Sequence, residues 1–135
     1  MTEEREDEAG PPVLEPTAAN VTLNEHGLPT FVGQPDGYGL QPNGTFRLHL
    51  EHPIPFGKQE TIEELTFREP RGKDYRAFPL QMEKLDIGQL LQFAAKITGR
   101  TDRQIDELGG ADVMRVVEVA SGFFAGDPGA IGTTP

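Results

Sequence analysis

Apolar side chains recur at a helical period in the second half of the chain. One stripe has the spacing i, i+3, i+4, i+7 and i+10 and consists of Ile87, Leu90, Leu91, Ala94 and Ile97. A second stripe with similar spacing consists of Val113, Val116, Val117, Ala120, Phe123 and Phe124. Because an α-helix has 3.6 residues per turn, each stripe predicts one amphipathic helix. These two helices are the main elements that the sequence predicts.

Start and stop signals support both helices and add a third, shorter one. Asp86 with Gln89, and Thr101 with Gln104, have the spacing of a capping box, in which the cap side chain and the third helical residue exchange hydrogen bonds. Gly99 is placed to end the first long helix in a left-handed conformation. The pattern therefore predicts a long helix, a short helix that begins after Thr101, and a second long helix.

A period of two residues precedes the helices. Residues 46–50 (FRLHL) alternate apolar and polar side chains, which predicts a half-buried strand. A turn at 56–59 leads into a second strand at 60–68, where Ile62 is out of phase with Leu65, so we expect a bulge or a change of face. A lone hairpin is marginal in water. We therefore predict an α+β fold in which one β-hairpin packs on two main helices and a short one.

The first third of the chain has a different composition. Residues 1–16 hold six carboxylates and one arginine, which predicts disorder or an acidic tail that binds a partner. Glycine and proline then interrupt residues 16–44 repeatedly, with short segments at 20–23 and 30–32 that could pair as transient strands. The predicted organisation is an irregular acidic, Pro/Gly-rich arm at 1–45, a folded domain at 46–126 and a flexible tail at 127–135.

Charge and composition narrow the classes of function. The net charge of −10 disfavours non-specific binding to nucleic acid, and the absence of cysteine excludes disulfides and thiolate chemistry. The first ten residues, MTEEREDEAG, are the opposite of a signal peptide. No apolar run approaches the roughly 20 residues that span a bilayer. We expect a soluble intracellular protein without nucleic-acid or membrane partners.

One basic segment stands out in this acidic chain. Arg68, Arg71, Lys73 and Arg76 fall within nine residues around the sequence PRGKDYRAFP. Runs of like charge are usually solvated. We interpret the segment as a solvated connection with a short helix that begins near Gly72.

Residue types that carry catalysis are present without the spacing that catalysis needs. The candidates are His26, His49, His52, Ser121 and the acidic pairs Glu63-Glu64 and Asp106-Glu107. None forms a familiar metal-ligand set or nucleophile motif. Asp112 is better explained as helix-start chemistry. We predict that the chain is not an enzyme and uses no metal or cofactor.

Further apolar side chains lie beside the two main stripes. They are Phe93 and Ala95 on the first long helix and Met114 and Val119 on the second. Either the hairpin covers them, or they form a face that receives an apolar helix from a partner or from another copy. The pattern alone leaves both possibilities open.

The order of these landmarks resembles the small tail assembly chaperones of tailed bacteriophages. The likeness covers roughly residues 46–126. Its landmarks are Pro53, Gly57, Leu65-Thr66-Phe67-Arg68-Glu69-Pro70, Ile97-Thr98-Gly99, Ile105-Asp106-Glu107-Leu108, Asp112, and Val116-Val117 through Phe123. The resemblance implies a temporary coat on the tape measure protein, displaced when tail tube subunits polymerise. It also implies action in the host cytoplasm and absence from the mature virion.

Combined with the surplus apolar surface, the resemblance indicates which residues bind the partner. The partners are the tape measure protein and, as further options, the tail tube protein and other copies of the chain. The candidate binding residues are Leu90, Phe93, Ile97, Val113, Val116, Val117, Phe123 and Phe124.

Two other classes of function stay open at this point. The acidity also fits an acidic structural or interaction module, either a minor virion component or an inhibitor that mimics DNA. The least favoured alternative is a small hydrolase or nuclease that uses Asp/Glu pairs and Mg²⁺, which would require activity that is lost when Asp106 and Asp112 are mutated.

Overall fold

A computed structural model describes residues 20–77 and 86–131 of the chain. Its strands are β1 (Val21–Leu23), β2 (Pro29–Phe31), β3 (Gly39–Leu40), β4 (Phe46–Phe56) and β5 (Glu60–Phe67). Its helices are α1 (Gly72–Ala77), α2 (Ile87–Thr98), α3 (Asp102–Asp106) and α4 (Gly110–Phe124), followed by a 3₁₀ turn at Pro128–Ala130. The α+β fold class is confirmed. The predicted acidic disorder at 1–16 lies outside the described residues.

The predicted hairpin is the antiparallel pair β4–β5. Its register runs from Phe46 opposite Phe67 to Phe56 opposite Glu60, with an irregularity between His49 and Ile54. The bulge that the phase of Ile62 predicted is therefore present, and its extra residues lie in β4, where residues 50–53 face a single residue of β5. β3 pairs only with the first residues of β4. The prolines of β4 lie beyond that pairing, where a missing N–H removes no bond to β3.

One hydrophobic core joins the sheet to the helices. The inward side chains of β4 and β5 are buried against α2 and α4, and the Phe67 ring stacks on the Phe123 ring with 6.3 Å between centroids. The largest fully buried side chains are Phe46, Phe67, Phe93, Phe123, Leu48, Leu50, Ile54, Leu65, Ile97, Ile105, Val116 and Val119. Because this cluster draws on both layers, the hairpin and the helices stabilise each other.

Local signals placed the helix ends correctly. Asp86 caps α2 and Thr101 caps α3, and each forms the reciprocal pair of hydrogen bonds with its glutamine, Gln89 or Gln104. Gly99 ends α2 with a φ of 73°, in the left-handed region that favours glycine. The short helix expected near Gly72 is α1.

The expectation of an irregular arm does not hold for residues 20–45. β1 pairs with β2, as the segments at 20–23 and 30–32 indicated, but β3 also extends the hairpin sheet, and both Phe31 and Leu40 are buried in the core. β3 does not reach His49 of β4, and the side-chain amide of Gln34 bonds to the His49 backbone as a neighbouring strand would. It accepts the His49 N–H at 2.8 Å and donates to the His49 carbonyl at 2.9 Å. The glycines and prolines of this segment close turns between packed pieces.

The expectation of a flexible tail likewise fails for residues 127–131. After the 3₁₀ turn, the Ile131 side chain is buried in the core. It lies over Gly122, where a Cβ atom would come within 2.7 Å of Ile131 Cγ1. Because Gly122 has no side chain, it leaves space on α4 that Ile131 fills. The domain boundaries at 45/46 and 126/127 stay predictions, and core packing crosses both positions.

Candidate functional site

A buried carboxylate fixes the start of α4 to the β4 bulge. Asp112 accepts the backbone N–H of Glu51 at 2.9 Å and that of His52 at 3.0 Å, one on each carboxylate oxygen. The bulge leaves these amides without strand partners. Gly109, which precedes α4, lies so close to His52 that a Cβ atom there would be 2.9 Å from the His52 ring. Asp112 thus lies in the first turn of α4, as predicted, and its side chain also sets where α4 lies on the sheet.

Five of the eight candidate binding residues belong to the core. They are Leu90, Phe93, Ile97, Val116 and Phe123, each at most 6% exposed. The other three are half-buried at the edge of that core; they are Val113, Val117 and Phe124. The structure therefore divides the predicted stripes into an inner part and an outer part.

The additional apolar stripe divides in the same way. Phe93, Ala95 and Val119 are buried, so the protein covers them itself. Met114 is 54% exposed, and Ile87, which the helical stripe placed with the core, is 48% exposed. Together with half-buried Leu91, these side chains leave apolar surface on both long helices. We call this set the outer apolar face: Ile87, Leu91, Val113, Met114, Val117 and Phe124.

Tyr75 on α1 lies against the outer apolar face at Phe124, and it is not among the residues that the apolar stripes predict. Its ring centroid is 5.9 Å from that of Phe93 and 5.5 Å from that of Phe124, and Phe93 and Phe124 meet edge to face at 5.3 Å. Its hydroxyl donates to the Phe123 carbonyl at 3.1 Å and to the Phe124 carbonyl at 3.4 Å. The signal for this contact was the aromatic side chain of Tyr75 among the charged residues of the basic segment.

The electrostatics of Tyr75 favour a hydroxyl that donates. Burial first, and then the nearby negative charges of Asp74 and Glu69, raise the pKa of Tyr75. The hydroxyl therefore stays protonated at neutral pH and donates to the carbonyls of Phe123 and Phe124 at the end of α4. The Phe123 carbonyl also accepts the Gly126 N–H at 3.0 Å.

An ion pair holds α1 in place on its other side. The buried Asp74 carboxylate accepts two hydrogen bonds from the Arg68 guanidinium, at 2.8 and 3.0 Å, and one from the Arg71 N–H at 2.8 Å. Hydrogen bonding to Arg68 lowers the pKa of Asp74 to about 2. Arg68 in turn reaches the Lys96 carbonyl on α2. The basic segment is thus only partly solvated, because Arg68 is committed to this pair.

The two buried carboxylates of the described residues connect elements of the fold. Asp74 and Asp112 are buried, and their oxygens bind Arg68 and backbone amides. Within residues 20–77 and 86–131, no group of three or more histidines and carboxylates is placed to hold a metal ion. No helix in these ranges is long and apolar enough to cross a membrane. The outer apolar face and Tyr75 are the features that suit the binding of another protein.

Comparison with known proteins supplies the family. The family model described as phage tail assembly chaperone proteins E, 41 or 14 matches residues 47–125, which is more than half of the chain. No curated protein and no solved structure matches. The matched segment begins in β4, ends just after α4 and includes every residue of the outer apolar face. The chain belongs to the phage tail assembly chaperone family.

Proposed function

We propose that this chaperone coats the tape measure protein, a long and largely helical chain, through the outer apolar face. The observation that carries the proposal is the apolar surface on both long helices of a strongly acidic protein. The side chains of this face lie on helices whose inner sides are already packed in the core. Three of them are half-buried and two are exposed: Val113, Val117 and Phe124, and Ile87 and Met114. An apolar helical face of this kind suits an amphipathic helix as its partner.

The same surface suits a contact that must later be released. Fully burying one large apolar side chain contributes about 1.5–3 kcal/mol, and these side chains are already partly covered, so each copy binds weakly. Many copies along one long partner bind strongly together. Tail tube subunits that polymerise along the partner then displace the copies one at a time. The net charge of −10 keeps neighbouring copies soluble before they bind.

Co-expression with the tape measure protein tests the proposal directly. The wild-type chaperone should keep the tape measure protein in the soluble fraction. Ile87→Asp and Met114→Asp should reduce that rescue, because each places a charge on the outer apolar face at a position too exposed to unfold the domain. Leu23→Asp is the matched control, since Leu23 is 66% exposed on β1 and belongs to neither long helix.

Two outcomes would count against the proposal. The proposal fails if wild-type chaperone leaves the solubility of the tape measure protein unchanged. It also fails if all three aspartate variants change that solubility equally. Mass spectrometry of purified mature particles gives an independent check, because a displaced chaperone should be absent and an acidic virion component should be present.

A further inference from the structure

We propose that Tyr75 occupies, in the free protein, the place where an aromatic side chain of the partner helix binds. The inference rests on the proposed function and adds to it a defined pocket and a competition. In the complex, the partner's ring takes the position of the Tyr75 ring against Phe93 and Phe124, and α1 moves away.

The pocket already has the form of an aromatic binding site. Phe93 from α2 and Phe124 from α4 form two walls at nearly a right angle, with an interplanar angle of 89°. The carbonyls of Phe123 and Phe124 at the end of α4 are acceptors at its far end. Phe124 belongs to the outer apolar face, so the pocket is continuous with the surface that the proposed function uses.

α1 has the features of a displaceable segment. It has six residues, too few for a helix that is stable by itself. Lys73, Arg76 and Ala77 are exposed, so Tyr75 is its one aromatic contact with the core. A depression of about 200 Å³ borders Tyr75 and extends toward Pro128, so the ring is open on one side. The Asp74–Arg68 ion pair is the other main anchor of this helix.

The pocket specifies the chemistry of the side chain that replaces Tyr75. Two phenylalanine walls favour an aromatic ring, which gains about 0.5–1.5 kcal/mol per aromatic pair beyond its buried area. The Phe124 carbonyl favours a donor at the end of that ring, because an acceptor left without a donor is costly, whereas the Phe123 carbonyl also accepts the Gly126 N–H. Tyrosine meets both requirements. We therefore expect partner helices to present a tyrosine on the apolar side.

Competition with α1 lowers the apparent affinity for the partner. The apparent dissociation constant of a ligand that binds only the open form is the intrinsic dissociation constant divided by the fraction of molecules in that form. Weakening the Asp74–Arg68 anchor should therefore strengthen binding while leaving the pocket intact. This is the reverse of what a merely structural role for α1 predicts.

The experiment measures affinity and hydrogen exchange on the full chain. The probe is a helical fragment of the tape measure protein with one tyrosine on its apolar side, compared with the same fragment in which alanine replaces that tyrosine. Arg68→Gln weakens the anchor, and Arg76→Gln is the matched control with the same charge change at an exposed position of α1. Circular dichroism establishes that both variants are folded.

We expect the tyrosine fragment to bind the Arg68→Gln variant about 3- to 10-fold more tightly than the Arg76→Gln variant. The alanine fragment should bind at least about 10-fold more weakly than the tyrosine fragment. Amides of residues 72–77 should exchange faster in the complex, while those of α2 and α4 exchange more slowly. Slower exchange at residues 72–77, or equal affinity of the two variants, would overturn the inference and leave the proposed function standing. Failure of wild-type protein to bind either fragment would instead count against the proposed function.

Discussion

The Asp112 carboxylate accepts the backbone N–H of Glu51 across 61 residues of sequence. The Glu51 side chain also pairs with Arg115 at 3.1 Å, one helical turn after Asp112. The Arg115 guanidinium lies 5.7 Å from the centre of the Phe31 ring, which belongs to β2. The β4 bulge is therefore the place where the hairpin, the last helix and the N-terminal strands meet, and Asp112 is the buried group that holds it.

Replacing Asp112 by asparagine should destabilise the whole domain. Asparagine has one acceptor oxygen, so its NH₂ group would face one of the two bulge amides and leave that buried donor without a partner. Losing a hydrogen bond to a charged group and burying a donor should lower the free energy of unfolding by about 2–3 kcal/mol. Urea unfolding measures the change. Asp106→Asn, at an exposed position on α3, should stay within about 0.5 kcal/mol of wild type.

The Asp74–Arg68 ion pair predicts a specific dependence on pH. The pKa of Asp74 is about 2 in the folded protein, compared with roughly 3.9 in an unfolded chain. A lowered carboxylate pKa stabilises the folded state at pH above the unfolded value, and this contribution disappears as the pH falls from about 4 to about 2. The difference in unfolding free energy between wild type and Asp74→Asn should therefore be up to about 2 kcal/mol larger at pH 6 than near pH 2.

A double-mutant cycle isolates this effect from the titration of other carboxylates. In an Arg68→Gln background the main cause of the low pKa is absent, so the Asp74→Asn difference should change little with pH. A wild-type difference that stayed constant from pH 6 to pH 2.5 would show that the ion pair does not contribute to stability.

Two glycines with similar backbone angles test whether residues 20–45 are part of the folded unit. Gly39 has a φ of 100° and Gly33 a φ of 91°, so alanine is strained at both. A Cβ atom at Gly39 would lie 2.7 Å from the Pro29 carbonyl and closer still to the Thr30 side chain, whereas nothing lies within 4 Å at Gly33. Gly39→Ala should therefore cost about 1–3 kcal/mol more than Gly33→Ala. Equal thermal unfolding of the two variants would show that β2 and β3 are not packed as described.

Predictions from sequence succeeded where the cause is local. The capping pairs Asp86–Gln89 and Thr101–Gln104 are three residues apart, and their hydrogen bonds depend on little outside the first helical turn. The hairpin and its bulge also followed from the alternation of apolar residues along two neighbouring segments. The family resemblance used these same landmarks, and the match over residues 47–125 confirmed it.

Predictions failed where a contact joins distant segments that have no periodic pattern. Gln34 bonds to His49, and the Asn24 amide bonds to the carbonyls of Tyr38 and Leu40, yet nothing near either side chain in sequence indicates its partner. The helical period also predicts which side of a helix faces the core, but it does not predict how much of that side the sheet covers. Ile87 has the phase of a core residue and is nevertheless 48% exposed in the first turn of α2.

Alanine substitutions at the two adjacent phenylalanines that end α4 should distinguish a loss of stability from a loss of partner binding. Phe123 is fully buried and stacks on Phe67, so Phe123→Ala should lower the free energy of unfolding by about 3–5 kcal/mol. Phe124 is half-buried and forms a wall of the Tyr75 pocket, so Phe124→Ala should cost clearly less and leave the fold intact. Under the proposed function, Phe124→Ala should nevertheless lose more of the tape measure rescue, because it removes part of the binding surface. Urea unfolding and the co-expression assay on both variants check this. If rescue declined in proportion to stability across the two variants, the outer apolar face would have no binding role apart from folding.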